Sequence, residues 1–459
     1  MTASSGFLLG GPISTLDDYR STGGGAGLAR ARELGPYQIV EEVNLSGLRG
    51  RGGAGFRTGR KWASVQRGGG RHYAVCNAAE GEPATFKDRA LLRANPYQVI
   101  EGLAIAALAV GADEAFIALK ASFEREGDAV ERAVVEMADA GWLGSLVVRI
   151  VRGPEEYLFG EEKALLEVIE GNDPLPRWMP PYLHGLFATA PQLGWEAHDP
   201  EAGHETEHAS NPTLVNNAET LANIPYILAR GAEWFRSIGT AQSPGTVVCT
   251  VIGDVLLPGV VEVELGTPLD EVLDQCGGPH PGHAIRAVFS GISNPVLTAD
   301  QLGTPLSYEA MEAIGSGLGA AGFVVYDETA CMVEVARVLS RFLYVESCGQ
   351  CPPCKLGTGE ITEALERING GQGDAALLDR IHERLEIVTD GNRCYLPVEE
   401  QRVISSILRS YPEDFVAHLE GACPRPREIP VPKVVDIADH VVVYDERQAT
   451  KRPDWTYPD

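Results

Sequence analysis

The stretch that decides the fold is PYQVIEGLAIAALAVG (residues 96–111), which lies between the strand-like runs YAVCN (73–77) and AFIALK (115–120). Residues 96–111 are apolar around the whole helix circumference, which is typical of a helix buried in a core. Residues 124–140 predict a second helix, and residues 146–151 predict a third strand. This alternation predicts an α/β layer domain with a partly parallel sheet.

A glycine-rich loop precedes this unit. Residues 47–59 read GLRGRGGAGFRTG, and residues 50–55 match the G-x-G-x-x-G dinucleotide fingerprint. That fingerprint requires a preceding strand, whereas a helix-like segment precedes this loop, so the match of letters is weak. Clustered glycines nevertheless let the backbone point several N–H groups at one anion, and Arg51 and Lys61 add positive charge. The loop predicts a phosphate-bearing cofactor; a purely structural loop is the alternative.

Acidic and amide side chains follow several predicted elements. Glu80 and Glu82 follow the strand 73–77, at the end where α/β sheets bind ligands. The acidic pair at 161–162 is compatible with acid–base catalysis, a metal site or the first turn of a helix. The amides at 216–217 predict either a helix cap or donors to a cofactor.

Four cysteines form the most specific motif. Residues 346–354 read ESCGQCPPC, so Cys348, Cys351 and Cys354 have C-x₂-C-x₂-C spacing, and Cys394 follows later in the chain. Three cysteines so spaced cannot all pair with one another. The pattern suits a [4Fe–4S] cluster held by four thiolates. A Cys₄ zinc site and buried thiols without a ligand are the alternatives.

The character of the sequence changes twice along the chain. Residues 246–264 are rich in β-branched residues around a Pro/Gly turn, and a short helix follows, which predicts a small β-grasp module. Residues 328–425 show helical periodicity and contain the four clustered cysteines. We therefore expect an α/β domain (1–240) with a polar insertion (about 188–212), a β-grasp domain (241–326), a helical domain (327–425) and a C-terminal arm (426–459). The arm is expected to pack on a neighbouring molecule or on the chain's own sheet.

Composition excludes some classes of partner. The net charge of −26 argues against nucleic acid and anionic membrane surfaces, because both attract basic proteins. No run of 18 apolar residues is present, and no signal peptide is recognisable. The remaining cysteines show no disulfide framework. We expect a location in the cytoplasm, or on the cytoplasmic side of a membrane complex. His198, His204 and His208 in the insertion are interpreted as part of a solvated loop rather than a metal site.

Five motifs occur in one order: GLRGRGGAGFRTGRKW, CNAAEGEPATFKDR, YLFGEEKAL, VNNAETL, and ESCGQCPPCKLG with RC at 393–394. Through them the chain resembles the family of NADH-binding flavoprotein (51 kDa) subunits of respiratory complex I, and the related diaphorase subunits of NAD-linked hydrogenases and formate dehydrogenases. The resemblance covers about residues 8–425. It implies a Rossmann-like FMN-binding domain, a small soluble-ligand-binding β-grasp (SLBB-type) domain and a C-terminal helical-bundle Fe–S domain.

The resemblance also implies the function and the site. The chain would pass a hydride from NADH to FMN and single electrons to a [4Fe–4S] cluster, then to a thioredoxin-like [2Fe–2S] partner subunit of a larger redox complex. Since the hydride chemistry belongs to the flavin, no catalytic side chain is expected. FMN would contact Gly50, Arg51, Gly52, Gly53, Lys61, Asn77, Glu80, Gly160, Glu161, Asn216, Asn217 and Thr220. NADH would face Phe56, Glu82, Glu162 and Tyr182. The cluster would be held by Cys348, Cys351, Cys354 and Cys394.

The chain departs from the family pattern at several positions. Residues 79–82 read Ala-Glu-Gly-Glu where the family has Asp-Glu-Ser-Glu, Ser64 stands near a usual aromatic, and Met179 replaces a lysine. Arg393 adds a cation beside Cys394, which is expected to raise the cluster potential. Two alternatives follow: a redox subunit of this fold with a donor or acceptor other than NADH, and a structural subunit that keeps the cluster without flavin turnover. The sequence leaves NADH versus NADPH and the final acceptor open.

Overall fold

The computed structural model describes residues 6–190, 209–421 and 423–458. Within these residues the strands form a four-stranded sheet, a five-stranded sheet and a two-stranded hairpin. Most of the predicted insertion at 188–212, including its three histidines, lies outside the described residues.

The first sheet is entirely parallel, which extends the prediction of a partly parallel sheet. Its order is β3-β2-β1-β4. The strands are β1 (Tyr73–Asn77), β2 (Glu114–Lys120), β3 (Val147–Gly153) and β4 (Thr213–Asn217). The helices around it are α1 (Leu16–Ser21), α2 (Ala26–Leu34), α3 (Pro36–Ser46), α4 (Thr58–Gln66), α5 (Lys87–Ala94), α6 (Pro96–Val110), α7 (Glu124–Asp139), α8 (Glu162–Ile169), α9 (Ala218–Arg230) and α10 (Ala232–Arg236). A 3₁₀ turn spans Tyr157–Gly160.

Helix α6 is buried along almost its whole length, as its composition predicts. It begins at Pro96 after Asn95, whose side-chain oxygen accepts from the backbone N–H of Gln98, and it ends before Gly111 in the left-handed conformation. Helix α6 crosses α9 closely at Gly102, where a Cβ atom would lie 2.0 Å from the carbonyl oxygen of Leu221. The apolar stretch therefore forms the centre of the first domain's core.

The order of the first sheet creates a site at one of its edges. The chain builds β1, β2 and β3 in one direction and then returns to add β4 on the other side of β1. Asn77 at the end of β1 is therefore in register with Asn217 at the end of β4. Ligands of open parallel sheets bind at the carboxyl ends of strands where the order reverses.

The second sheet has the order β6-β5-β9-β7-β8 and contains both parallel and antiparallel pairs. The runs predicted around 246–264 form its first two strands, and the predicted short helix follows them. The elements are β5 (Thr246–Gly253), β6 (Gly259–Glu264), α11 (Leu269–Gln275), β7 (Ile285–Ser290), β8 (Leu297–Thr298), a 3₁₀ turn (Ala299–Gln301), α12 (Tyr308–Ala313) and β9 (Gly322–Asp327).

The last domain is a helical bundle followed by an arm. Its elements are α13 (Met332–Glu346), α14 (Pro352–Asn369), α15 (Ala375–Ile387), α16 (Leu396–Ser410), α17 (Pro412–Leu419), the hairpin β10 (Val434–Ala438) and β11 (Val441–Tyr444), and a 3₁₀ turn (Glu446–Ala449). The arm packs on its own bundle, because Lys451 Nζ lies 2.9 Å from Glu346 Oε1 and Lys355 Nζ donates to Pro453 O. In the described ranges, no helix is both long and apolar enough to cross a membrane.

Candidate functional site

A cleft of ≈630 Å³ opens at the carboxyl ends of β1 and β4. This volume lies within the range of small-molecule and cofactor sites. Most of the predicted cofactor and NADH residues line the cleft: Gly50, Gly52, Gly53, Phe56, Lys61, Asn77, Glu80, Glu82, Gly160, Glu161, Glu162, Asn216, Asn217 and Thr220. Arg51 and Tyr182 are not among the residues that line it.

The glycine loop joins α3 to α4 and reaches into the cleft at its tip. Its base closes like a hairpin, because Gly50 N–H donates to Phe56 O and Thr58 N–H donates to Leu48 O. Gly52 permits contact with β4, since a Cβ atom there would lie 3.0 Å from Asn217 Cβ. The hydroxyl of Thr58, at the start of α4, is buried on the cleft wall and has no hydrogen-bond partner among the described residues. An unpartnered hydroxyl at a helix N-terminus fits an anionic cofactor group.

The side chain of Arg51 turns away from the cleft. Its guanidinium donates to the carbonyl oxygens of Arg49, Pro244 and Thr246, and its backbone N–H donates to Thr220 Oγ1 at 2.8 Å. Arg51 therefore fastens the glycine loop to α9 and to the start of β5. Tyr182 is 41% exposed on a loop outside the cleft. The structure thus separates these two residues from the other predicted site residues.

Lys61 forms an ion pair inside the cleft. Its Nζ atom lies 2.6 Å from Glu162 Oε2, and both side chains are partly exposed. The partners come from the first turns of α4 and α8, and both line the cleft. A partly exposed pair of this kind contributes about 1 kcal/mol or less to stability. Lys61 can therefore exchange this partner for an anionic ligand at little cost.

The asparagines after β4 organise the cleft floor. Asn216 Oδ1 accepts from Trp62 Nε1 at 2.7 Å, and Asn217 Oδ1 caps α9 through the N–H of Glu219. Asn217 Nδ2 also donates to Asp88 at 2.6 Å. Asn217 therefore acts as a helix cap, whereas Asn216 is oriented by Trp62 through its oxygen. They set the shape of the floor.

Sequence reasoning did not single out Lys87 and Asp88, although both line the cleft. Buried Lys87 lies 2.8 Å from Asp88 and 2.8 Å from Glu219. Burial raises the pKa of Asp88 to about 6, and the charge of Lys87 opposes this shift. The signal available in the sequence was the run PATFKDR, which follows β1 within one of the five motifs.

The carboxylates after β1 have different roles. Glu80 accepts from the backbone N–H groups of Asp88 and Arg89 and pairs with the Arg89 guanidinium at 2.8 Å, so it caps α5. Glu82 accepts from Ser293 Oγ at 2.7 Å and connects the cleft to the β-grasp domain. Burial raises the pKa of Glu82 above its ordinary value. Glu80 is thus engaged in capping α5, whereas Glu82 lies where the cleft meets the β-grasp domain.

Two further carboxyl groups titrate near neutral pH. Glu161 caps α8 by accepting from the N–H groups of Lys163 and Ala164, and burial raises its pKa to about 7. Glu399, from α16 of the helical domain, accepts from Tyr157 Oη at 2.8 Å. Burial, followed by the nearby charge of Glu82, raises the pKa of Glu399 to about 8. Sequence reasoning missed Glu399 because it reaches the cleft from a distant helix. It did not single out Tyr157, although Tyr157 is the first residue of the motif YLFGEEKAL.

The four clustered cysteines line one small cavity. Helix α14 begins directly after Cys351 and α16 begins two residues after Cys394, so two helix N-termini lie at the site. Gln350 Nε2 is 3.7 Å from Cys348 Sγ, and Ser347 Oγ is 3.4 Å from Cys354 Sγ. Four sulfur ligands with nearby donors and positive helix ends fit an anionic thiolate-ligated cluster.

The cleft and the cysteine cavity share a wall. Leu158, Cys394 and Leu396 line both. Groups bound in the two cavities would therefore be separated by a single layer of side chains. Arg393 also lines the cysteine cavity, and its guanidinium stacks 4.4 Å from the centre of the Trp178 ring.

Comparisons with known proteins agree with this geometry. Family models match residues 43–226 (Nuo51 FMN-binding domain), 248–290 (SLBB domain) and 334–418 (NADH-ubiquinone oxidoreductase-F iron-sulfur binding region). The chain is 37% identical to a subunit of the NADH-quinone oxidoreductase of Rhizobium meliloti (strain 1021), over 89% of this chain and 96% of that protein. It is 36% identical to the HndC subunit of the NADP-reducing hydrogenase of Solidesulfovibrio fructosivorans, over 89% of this chain and 82% of that protein.

A solved structure resembles the chain over nearly its whole length. An NAD⁺-reducing [NiFe]-hydrogenase in the H₂-reduced state aligns with a TM-score of 0.76 and 30% identity. The alignment covers 89% of this chain and 67% of the hydrogenase chain.

Proposed function

The chain belongs to the family of NADH-binding flavoprotein (51 kDa) subunits of respiratory complex I, and from this premise we propose how its residues serve NADH oxidation. The protein is an NADH dehydrogenase flavoprotein subunit, an oxidoreductase with FMN and a [4Fe–4S] cluster that works within a multi-subunit redox complex. When bound, FMN accepts a hydride from NADH and the cluster carries single electrons.

The residues around the glycine loop would hold FMN. The unpartnered Thr58 hydroxyl and the first turn of α4 support an anion at this end, and Lys61 would leave Glu162 to pair with the phosphate. The remaining predicted positions would shape and orient the site: Gly50, Gly52, Gly53, Asn77, Glu80, Gly160, Glu161, Asn216, Asn217 and Thr220. Arg51 would act indirectly, by fastening the loop.

The outer part of the cleft would bind NADH. Phe56 is 58% exposed at the rim and offers a ring face for stacking, while Glu82 and Glu162 offer acceptors for hydroxyl groups. Arg402, another lining residue, adds a cation from α16. Tyr182 takes no part in this proposal, because it does not line the cleft.

The wall formed by Leu158, Cys394 and Leu396 is the observation that carries the proposal. It would bring a flavin in the cleft close to a cluster held by Cys348, Cys351, Cys354 and Cys394. We further propose a thioredoxin-like [2Fe–2S] partner subunit as the next acceptor, because a one-electron carrier must pass its electron on. A reducing compartment such as the cytoplasm would suit the cluster thiolates.

An anaerobic optical titration of the reconstituted protein with NADH, after FMN and iron analysis, tests the proposal. We expect flavin bleaching followed by loss of the cluster absorbance. Flavin that is present but unchanged by NADH would favour a different donor. A protein that holds iron but takes up no flavin would be the structural subunit instead, and would contradict the proposal.

A further inference from the structure

A second group of metal-ligating side chains lies outside the cleft and the four-cysteine cavity. Cys331 directly precedes α13, His418 lies near the end of α17, and Cys423 follows that helix. One ligand atom from each residue lies within 4.8 Å of the other two. Cys331 and His418 are buried, whereas Cys423 is half-buried. Two sulfur donors and one imidazole from separate parts of the chain thus converge at one point.

The orientation of His418 directs a free electron pair towards this point. Its Nδ1 atom lies 3.3 Å from the carbonyl oxygen of Ile368. Because a carbonyl oxygen can only accept, Nδ1 carries the proton, and Nε2 is left as an acceptor or ligand. Nε2 lies 3.2 Å from Cys331 Sγ. Histidine ligands of metals are characteristically held in this way by a backbone carbonyl on the other nitrogen.

We propose that Cys331, His418 and Cys423 bind a zinc ion. With Zn–S of about 2.3 Å and Zn–N of about 2.0 Å, a tetrahedral zinc separates its ligand atoms by about 3.5–3.8 Å. The observed cluster needs shifts of only a few tenths of an ångström to about 1 Å to meet these spacings. Two thiolates and an imidazole are soft to borderline donors that suit zinc, and the two thiolates neutralise its charge in a buried site. Three protein ligands leave the fourth position for water.

The position of the group indicates a structural role. The metal would join the start of α13 to the end of α17 at the point where the chain leaves the bundle. The segment just beyond is already fixed by ion pairs, since Arg425 lies 2.8 Å from Asp414 and Arg427 lies 2.6 Å from Asp254 of the β-grasp domain. Zinc would therefore hold the root of the C-terminal arm against the bundle.

Metal analysis of the anaerobically purified holoprotein tests the proposal. After dialysis against EDTA, we expect about one zinc per chain, and zinc K-edge absorption should show about two sulfur neighbours near 2.3 Å and two nitrogen or oxygen neighbours near 2.0 Å, one from the imidazole and one from water. This edge is not obscured by flavin or iron. Cys423→Ser and His418→Gln should lower the zinc content at least tenfold and leave iron and flavin content unchanged. Cys276→Ser, which changes a buried cysteine outside the group, serves as the matched control.

The variant Cys348→Ser distinguishes zinc at the proposed site from zinc bound in the four-cysteine cavity. That variant should lose iron and keep its zinc, and a sulfur-only zinc spectrum would contradict the proposal. Wild-type protein that takes up no zinc from added zinc sulfate under reducing conditions would overturn it. A disulfide between Cys331 and Cys423, found by mass spectrometry of unreduced peptides from the anaerobic preparation, would overturn it as well.

Discussion

Arg60 and Lys61 are neighbours on α4, but only Lys61 lines the cleft. The side chain of Lys61 is held by the partly exposed carboxylate of Glu162. An incoming phosphate would be a stronger partner, because it carries more charge and more acceptor atoms than a carboxylate. At the scale of single residues, function therefore depends on which of two adjacent cations points into the cleft.

Lys61→Met should weaken FMN binding by about 10- to 100-fold, because a hydrogen bond to a charged group is worth about 1.5–3 kcal/mol. Fluorescence titration of the deflavinated protein with FMN measures the dissociation constant. Arg60→Met, on the exposed side of the same helix, is the control and should change the constant less than twofold. Equal losses in both variants would remove Lys61 from the flavin site.

Glu82→Gln should raise KM for NADH by about tenfold while flavin content stays unchanged, because the amide loses one charged acceptor worth about 1.5 kcal/mol. Steady-state kinetics with an artificial electron acceptor measure this change. Glu80→Gln is the contrasting variant, because Glu80 caps α5 and pairs with Arg89. This change should lower the melting temperature and raise KM for NADH less than Glu82→Gln does. Unchanged NADH kinetics in Glu82→Gln would exclude Glu82 from the nucleotide site.

At the scale of helices and strands, the core of the first domain depends on how closely its helices cross. Gly102→Ala should destabilise the protein by about 1–3 kcal/mol, because a Cβ atom would overlap the Leu221 carbonyl and force α6 and α9 apart. Thermal unfolding measures the change. Gly69→Ala, where no atom lies within 4 Å of the added Cβ, is the matched control and should be nearly neutral. A neutral Gly102→Ala would mean that the two helices can separate at no cost.

The helical bundle carries a buried acid whose ionisation opposes folding. Glu400 on α16 accepts from Ser340 Oγ at 2.7 Å, and burial raises its pKa from 4.5 to about 8. The folded protein therefore holds this proton more tightly than the unfolded chain. The contribution of Glu400 to stability is complete below pH 4.5 and declines as the pH rises to about 8.

Glu400→Gln should remove this part of the pH dependence. Between pH 4.5 and about 8, ionisation of Glu400 should lower the free energy of unfolding of the wild-type protein by up to about 1.4 kcal/mol per pH unit. The amide variant should therefore be more stable than the wild type at pH 8. Melting temperatures from pH 5 to 9 measure the effect. The exposed Glu413→Gln should follow the wild-type curve. Parallel curves for Glu400→Gln and wild type would contradict the burial argument.

At the scale of the whole molecule, domains from distant parts of the sequence share one wall. Cys348→Ser should abolish the iron signal and leave the FMN dissociation constant within about threefold, because Cys348 lines only the cysteine cavity. Cys394→Ser should abolish the iron signal and also disturb FMN binding, because Cys394 lines both cavities. Iron analysis and FMN titration of both variants provide the test. Identical flavin affinities in the two variants would mean that the shared wall does not couple the sites.

Much of this architecture was predictable from local sequence. The apolar stretch at 96–111 predicted the buried helix α6, and the predicted strand 73–77 has the bounds of β1. The helix-like segment before the glycine loop correctly argued against the dinucleotide fingerprint, since the loop joins α3 to α4. The N-terminal segment also forms α1 and α2, which the sequence analysis did not predict. Short helices of this kind depend on packing rather than on propensity.

The sequence by itself determined the order of motifs, the spacing of the cysteines and the strand–helix periodicity, because these depend on neighbouring residues. Tertiary structure alone decided that Arg51 turns away from the cleft, that Lys87 and Glu399 join it, and that Cys331, His418 and Cys423 meet. These outcomes depend on burial and on contacts between residues far apart in the chain. A side chain's direction and charge state follow from the neighbours that the completed fold brings to it.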